Sequence, residues 1–177
     1  MLKYVKNVLS KIHIIGKMEN NISVICEIAS AHEGSVLNLK KLLDQAHFAG
    51  ADWVKVQIFQ YESLVFKDNE KFSILKKVEL KPNEWLEVIR YSERLSPKLI
   101  VEIFDEQSLA LVENEPAIKA YKIPTSDLGD KTFVDLVCKK GKPVFIGIGG
   151  ATINEIDAIV GQISNFDNVE LTLMHGI

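Results

Sequence analysis

From Ile22 onward, six short runs of apolar and β-branched residues alternate with stretches whose apolar positions recur at helical spacing. The runs are Ser23 to Ile28, Trp53 to Phe59, Lys98 to Phe104, Ile118 to Ile123, Pro143 to Ile148 and Glu170 to Met174. The clearest helical patterns are Val36 to Ala49 (Leu39, Leu42, Leu43, Ala46), Asn83 to Leu95 (Leu86, Val88, Ile89), Lys131 to Lys140 and Ile153 to Ile163. Gly50 and Gly141 follow helices where a left-handed residue ends them, and Ser35, Asp130 and Thr152 stand at cap positions. Thr152-Ile153-Asn154-Glu155 has the capping-box pattern. Nearly continuous apolar strands are covered on both faces, which predicts a parallel sheet in an α/β fold.

Polar residues choose between an open sheet and a barrel. They fall at the carboxyl ends of at least five runs: Glu27 and His32, Lys55 and Gln57, Glu102 and Asp105, Lys122 and Thr125, and His175. An open sheet uses the strand ends at one switch point, whereas a barrel gathers them at one mouth. The expectation is therefore a TIM-type (β/α) barrel. A closed barrel needs eight units and typically about 250 residues, so a chain of 177 residues is expected to be incomplete, with about six of the eight. Open edges and an apolar face would then call for a partner that completes the barrel, or for self-association.

Composition narrows the class. With 47% hydrophobic and 25% charged residues the chain has the means for one sizeable core. A net charge of −3 gives no general attraction to nucleic acid or anionic lipid, so no nucleic-acid partner is expected. Cys26 and Cys138 lie in apolar runs and read as core thiols of a reducing compartment. Residues 1–20 form an amphipathic extension with lysines at 3, 6 and 11. It has neither a signal h-region nor a cleavage site, and with no transmembrane segment the expected location is cytoplasmic. The expected domains are thus this extension and a partial barrel over 21–177.

The chemistry centres on Lys55 and Lys122. Each lies at or near the end of a predicted buried strand, where an amine must meet an anion or lose its proton. Two such lysines on barrel strands can converge on one anion. A pairing with neighbouring carboxylates is the plainer alternative, and Thr125 and Ser126 equally suit turn chemistry.

Several collinear motifs carry a family resemblance. Glu27-Ile28-Ala29-Ser30-Ala31-His32-Glu33-Gly34 resembles the Glu-Ile-Gly-x-Asn-His-x-Gly opening of sialic acid synthases, and Ala49 to Gln57 their second strand. Lys122-Ile123-Pro124-Thr125-Ser126-Asp127 is similar to their Lys-Ile-Pro-Ser-Gly-Asp. Gly141-Lys142-Pro143-Val144 and Gly149-Gly150-Ala151-Thr152 are similar to Gly-Lys-Pro-Val and Gly-Met-Ala-Thr, and Leu173-Met174-His175 to Leu-Leu-His.

The resemblance implies condensation of phosphoenolpyruvate with an N-acetylated hexosamine of the N-acetylmannosamine type, giving a nine-carbon 2-keto acid and phosphate. It implies a divalent metal, manganese or magnesium, and a homodimer. Catalytic roles would fall to Glu27, Lys55 and Lys122, substrate binding to Gln57, Thr125 and Ser126, and metal binding to His175. A second metal histidine, much of the sugar site and an antifreeze-like domain would lie beyond Ile177.

Departures at four positions fall at the expected mouth. Glu102, in Val101-Glu102-Ile103-Phe104-Asp105, stands where the family has a hydroxyl in Ser-Thr-Pro-Phe-Asp. Gly147 removes another hydroxyl, and Ala29 and Ala31 replace the opening Gly and Asn. Two further readings follow: a noncatalytic relative in which Glu102 neutralises the lysines, and a Schiff-base lyase using Lys55 or Lys122.

Overall fold

A computed structural model describes residues 22–176. The amphipathic extension predicted for residues 1–20 lies outside them. The chain divides into two compact units, one over Ser23–Lys119 and one over Ala120–Ile177, with the division falling inside a strand.

In the first unit, β1 (Ile25–Ala29), β2 (Trp53–Ile58) and β3 (Lys98–Ile103) run parallel. The helix α1 (Val36–Phe48) joins β1 to β2; α2 (Tyr61–Leu64), α3 (Phe72–Val78) and α4 (Pro82–Ser92) lie between β2 and β3, and α5 (Glu106–Val112) follows β3. The Ser35 hydroxyl accepts from the Asn38 N–H at the start of α1, as its cap position predicts. The face of α1 turned inward carries Leu39, Leu43 and Ala46; that of α4 carries Trp85, Val88 and Ile89. Trp85 thus takes the inward place expected of Leu86. The excursion after β2 contains two short helices that its sequence does not announce, and α5 is a third. Asp105 caps α5, accepting from Ser108 N–H at 2.6 Å, and also accepts from Gln60 N–H at 3.1 Å, which ties the loops after β2 and β3.

The strand β4 (Ile118–Ile123) carries the division. Most of it belongs to the second unit, with the 3-10 turn Thr125–Asp127, α6 (Lys131–Cys138), β5 (Val144–Gly147), α7 (Ile153–Ile163) and β6 (Leu171–Met174). Here β4, β5 and β6 pair in parallel. Asp130 caps α6 and Thr152 caps α7, the latter in the reciprocal box with Glu155 that the sequence predicts. Gly50 and Gly141 have φ of +75° and +67°, in the left-handed region. Cys138 is buried, and burial, with Asp135 adding to it, pushes its thiol up to about 12. That is an inert core thiol. Cys26, expected in the core as well, is only half-buried.

No helix among the described residues is long and apolar enough to cross a membrane.

Candidate active site

Strand pleat assigns the faces. Side chains alternate along a strand, and residues in parallel register share a side. Glu27 pairs with Lys55 and Lys55 with Ile100, while Gln57 pairs with Glu102. Glu27, Lys55, Gln57 and Glu102 therefore occupy one face of the first unit's sheet. Val54, Val56, Leu99, Val101 and Ile103 take the other, and all five are buried.

Lys55 is 4% exposed, so its amine needs partners inside the protein. It has two: the Glu27 carboxylate at 2.5 Å and the Glu102 carboxylate, to which it donates a short hydrogen bond. Gln57 Nε2 donates to the same Glu102 Oε2 at 2.9 Å. Glu102 is 3% exposed, whereas the Glu27 side chain is about half in solvent, at 46%. The cluster of Glu27, Lys55 and Glu102 thus holds two carboxylates against one ammonium.

A bulge aims Glu27. The β1–β2 register slips between Glu27 and Ala29, and Ala29 takes φ +46°, a left-handed conformation uncommon outside glycine. The turn brings the Ala29 N–H onto Glu27 Oε1 at 2.9 Å, which fixes the carboxylate beside Lys55.

His32 has a structural place in the next turn. It is 1% exposed, lies edge-on to Trp85 and accepts from Gly34 N–H through Nδ1 at 3.1 Å. Burial holds its pKa below the ordinary 6.5. The unfolded chain therefore takes up this proton first as pH falls. The stability His32 contributes is full above about pH 6.5 and declines as pH drops from there towards the lowered folded value. Between about pH 7.5 and pH 5, wild type is expected to lose more of its urea midpoint than His32→Gln, and equal losses would contradict this.

The second unit holds the remaining residues predicted for the site. Lys122, half-buried, registers with Phe145 and through it with Thr172, so Lys122, Phe145, Gly147, Thr172 and Met174 share a face. A side chain at Gly147 would overlap the Thr125 hydroxyl, so the missing Cβ is what lets Thr125 approach β5. Thr125 and Ser126 line a cleft of about 490 Å³ with Lys131, Gly149, Glu155 and Gln162 among its other walls. His175 is exposed just after β6.

Among the described residues no three His, Cys, Asp or Glu side chains gather to hold a metal ion. His175 could supply one ligand there and no more. The structure thus brings together Glu27, Lys55 and Gln57 in one unit, and places Lys122, Thr125, Ser126 and His175 in the other. Glu102, noted in the sequence as a departure and not as a site residue, is a direct partner of both Lys55 and Gln57. Its signal was available: a carboxylate inside Leu99-Ile100-Val101-Glu102-Ile103 has to be paired.

Comparison with known proteins gives these positions a context. A Methanocaldococcus jannaschii protein described only as uncharacterized is 29% identical over 163 residues, covering 92% of this chain and 48% of its own length. The N,N'-diacetyllegionaminic acid synthase of Campylobacter jejuni is 24% identical over 168 residues, covering 86% of this chain and 50% of the synthase. This chain spans about half the length of these relatives. Among solved structures, the N-acetylneuraminic acid synthetase of Leptospira borgpetersenii, in complex with citrate, superposes with a TM-score of 0.82 at 22% identity, over 88% of this chain and 54% of that one. That likeness shows the fold, a TIM-type (β/α) barrel of which the described residues carry six strands. The model of the NeuB family matches residues 42–177, most of the chain, and this protein belongs to the NeuB family.

Proposed function

We propose that this chain supplies the phosphoenolpyruvate end of a sugar-acid synthase. The reaction joins phosphoenolpyruvate, an N-acetylated hexosamine of the N-acetylmannosamine type and water into a nine-carbon 2-keto acid and phosphate. The observation that carries the reading is the buried Lys55 with Glu27 set against it from the neighbouring strand and Gln57 on the same face, at positions where the family motifs match. Lys55 and Lys122 would hold the phosphate and carboxylate, and charge-assisted hydrogen bonds in a water-poor site suit that task. Gln57, Thr125 and Ser126 would add neutral donors. Glu27, fixed by the Ala29 N–H yet half in solvent, is placed to carry a proton or orient the water.

A divalent ion, manganese or magnesium, belongs to the same proposal and would polarise the sugar aldehyde. His175 would give one ligand and residues outside the described ones the rest. A homodimer, or a partner completing the barrel, and a cytoplasmic location are part of this proposal too.

The test is turnover. The chain is incubated with phosphoenolpyruvate, N-acetylmannosamine and manganese, and both phosphate release and the 2-keto acid are followed. Phosphate and a nine-carbon keto acid formed in equal amounts are expected, with both lost in Glu27→Gln.

A second reading is favoured by one observation. Lys55 is already engaged by Glu102 and Glu27, as in a noncatalytic relative whose lysine has become structural. Folded protein that releases no phosphate in that assay would favour it. The same engagement weighs against a Schiff-base lyase at Lys55, because an amine set between two carboxylates lacks the apolar or cationic surroundings that activate such a nucleophile.

A further inference from the structure

Resting on the reading of Lys55 as an anion-holding residue, we infer that Glu102 is an internal anion competing with the ligand for Lys55, and that it determines how strongly this site accepts phosphate. The two carboxylates on Lys55 differ in their freedom. Glu27, though held by the Ala29 N–H, is half in solvent and can exchange Lys55 for water as the partner of its charge. Glu102 cannot. Its side chain is 4% exposed, and its strand neighbour on the same face, Ile100, is fully buried. It stays within reach of Lys55 whatever binds there.

Gln57 strengthens the effect. Its amide donates to the same Glu102 oxygen that Lys55 holds, so a neutral donor on the same face as Lys55 is also turned towards Glu102. An incoming dianion therefore meets a lysine and an amide already committed, with a like charge at contact distance in a poorly solvated place. A neutral or singly charged group meets less repulsion. Glu102 acts through Lys55, as a specificity-determining residue, and lowers the affinity for doubly charged phosphate most.

Calorimetric titration of the full chain with phosphoenolpyruvate, and separately with inorganic phosphate, tests this. The proteins are wild type, Glu102→Gln, Glu102→Thr and Glu102→Asp, each checked for folding by thermal unfolding. Glu102→Gln and Glu102→Thr are expected to bind phosphoenolpyruvate at least about tenfold more tightly than wild type. Glu102→Asp keeps the charge and should stay near wild type. A purely structural role for Glu102 would not sort the variants by charge. Adding Lys55→Met to Glu102→Gln should remove the gain.

Equal binding by wild type and Glu102→Gln would overturn the inference and leave the synthase reading standing. Binding by Glu102→Gln or Glu102→Thr but not by wild type would uphold the inference and sink the synthase reading for this chain. No binding by wild type or by folded Glu102→Gln and Glu102→Thr would overturn both.

Discussion

Lys55→Met is expected to cost about 3 kcal/mol of folding stability, read as a lower urea midpoint with an unchanged slope. The amine is buried between Glu27 and Glu102, and Glu102 lies in an apolar strand. Removing Lys55 withdraws the ammonium from a carboxylate that water cannot solvate. Gln57 still donates to Glu102, which softens the loss without replacing a charge. Adding Glu102→Gln to Lys55→Met should recover a large part of it, since the uncompensated charge goes with the carboxylate. A Lys55→Met protein as stable as wild type would mean that this ion pair does not hold the strands together.

Gly34→Ala is the second large effect, also about 3 kcal/mol, from strain and overlap combined. Gly34 has φ +76°, and a Cβ there would run into the Lys77 carbonyl oxygen near the end of α3. That oxygen belongs to backbone, so it cannot rotate out of the way. The same turn carries the Gly34 N–H that His32 accepts. Thermal unfolding checks the prediction; a loss below about 1 kcal/mol would show that the loop after β1 yields easily.

Both predictions arise where the sequence spoke only in part. Regular structure was legible because its causes are local: apolar runs for the strands, Ser35, Asp130 and Thr152 for the helix starts, Gly50 and Gly141 for their ends. Trp85 displaced Leu86 because periodicity gives a stripe but not which large residue at its edge finds room. The helices α2 and α3 escaped because each is too short to show a repeat.

The site divides in the same way. Lys55 and Glu27 were each readable as a polar residue at a strand end. Their direct contact depends on the bulge at Ala29, which no spacing rule places. Glu102 was visible as a charge in an apolar strand, but its partner depends on register, a property of two strands and not of one. His32 stands in sequence among the polar residues at strand ends, and only burial and the Gly34 contact make it structural.

In the proposed function this chain holds phosphoenolpyruvate through its strand-end lysines. The most direct measurement is calorimetric titration of the purified wild-type chain with phosphoenolpyruvate, with and without manganese, beside Lys122→Ala. Saturable binding of one phosphoenolpyruvate per chain, lost in Lys122→Ala, is expected. Absence of binding by a chain shown to be folded, or binding that Lys122→Ala leaves intact, would contradict it.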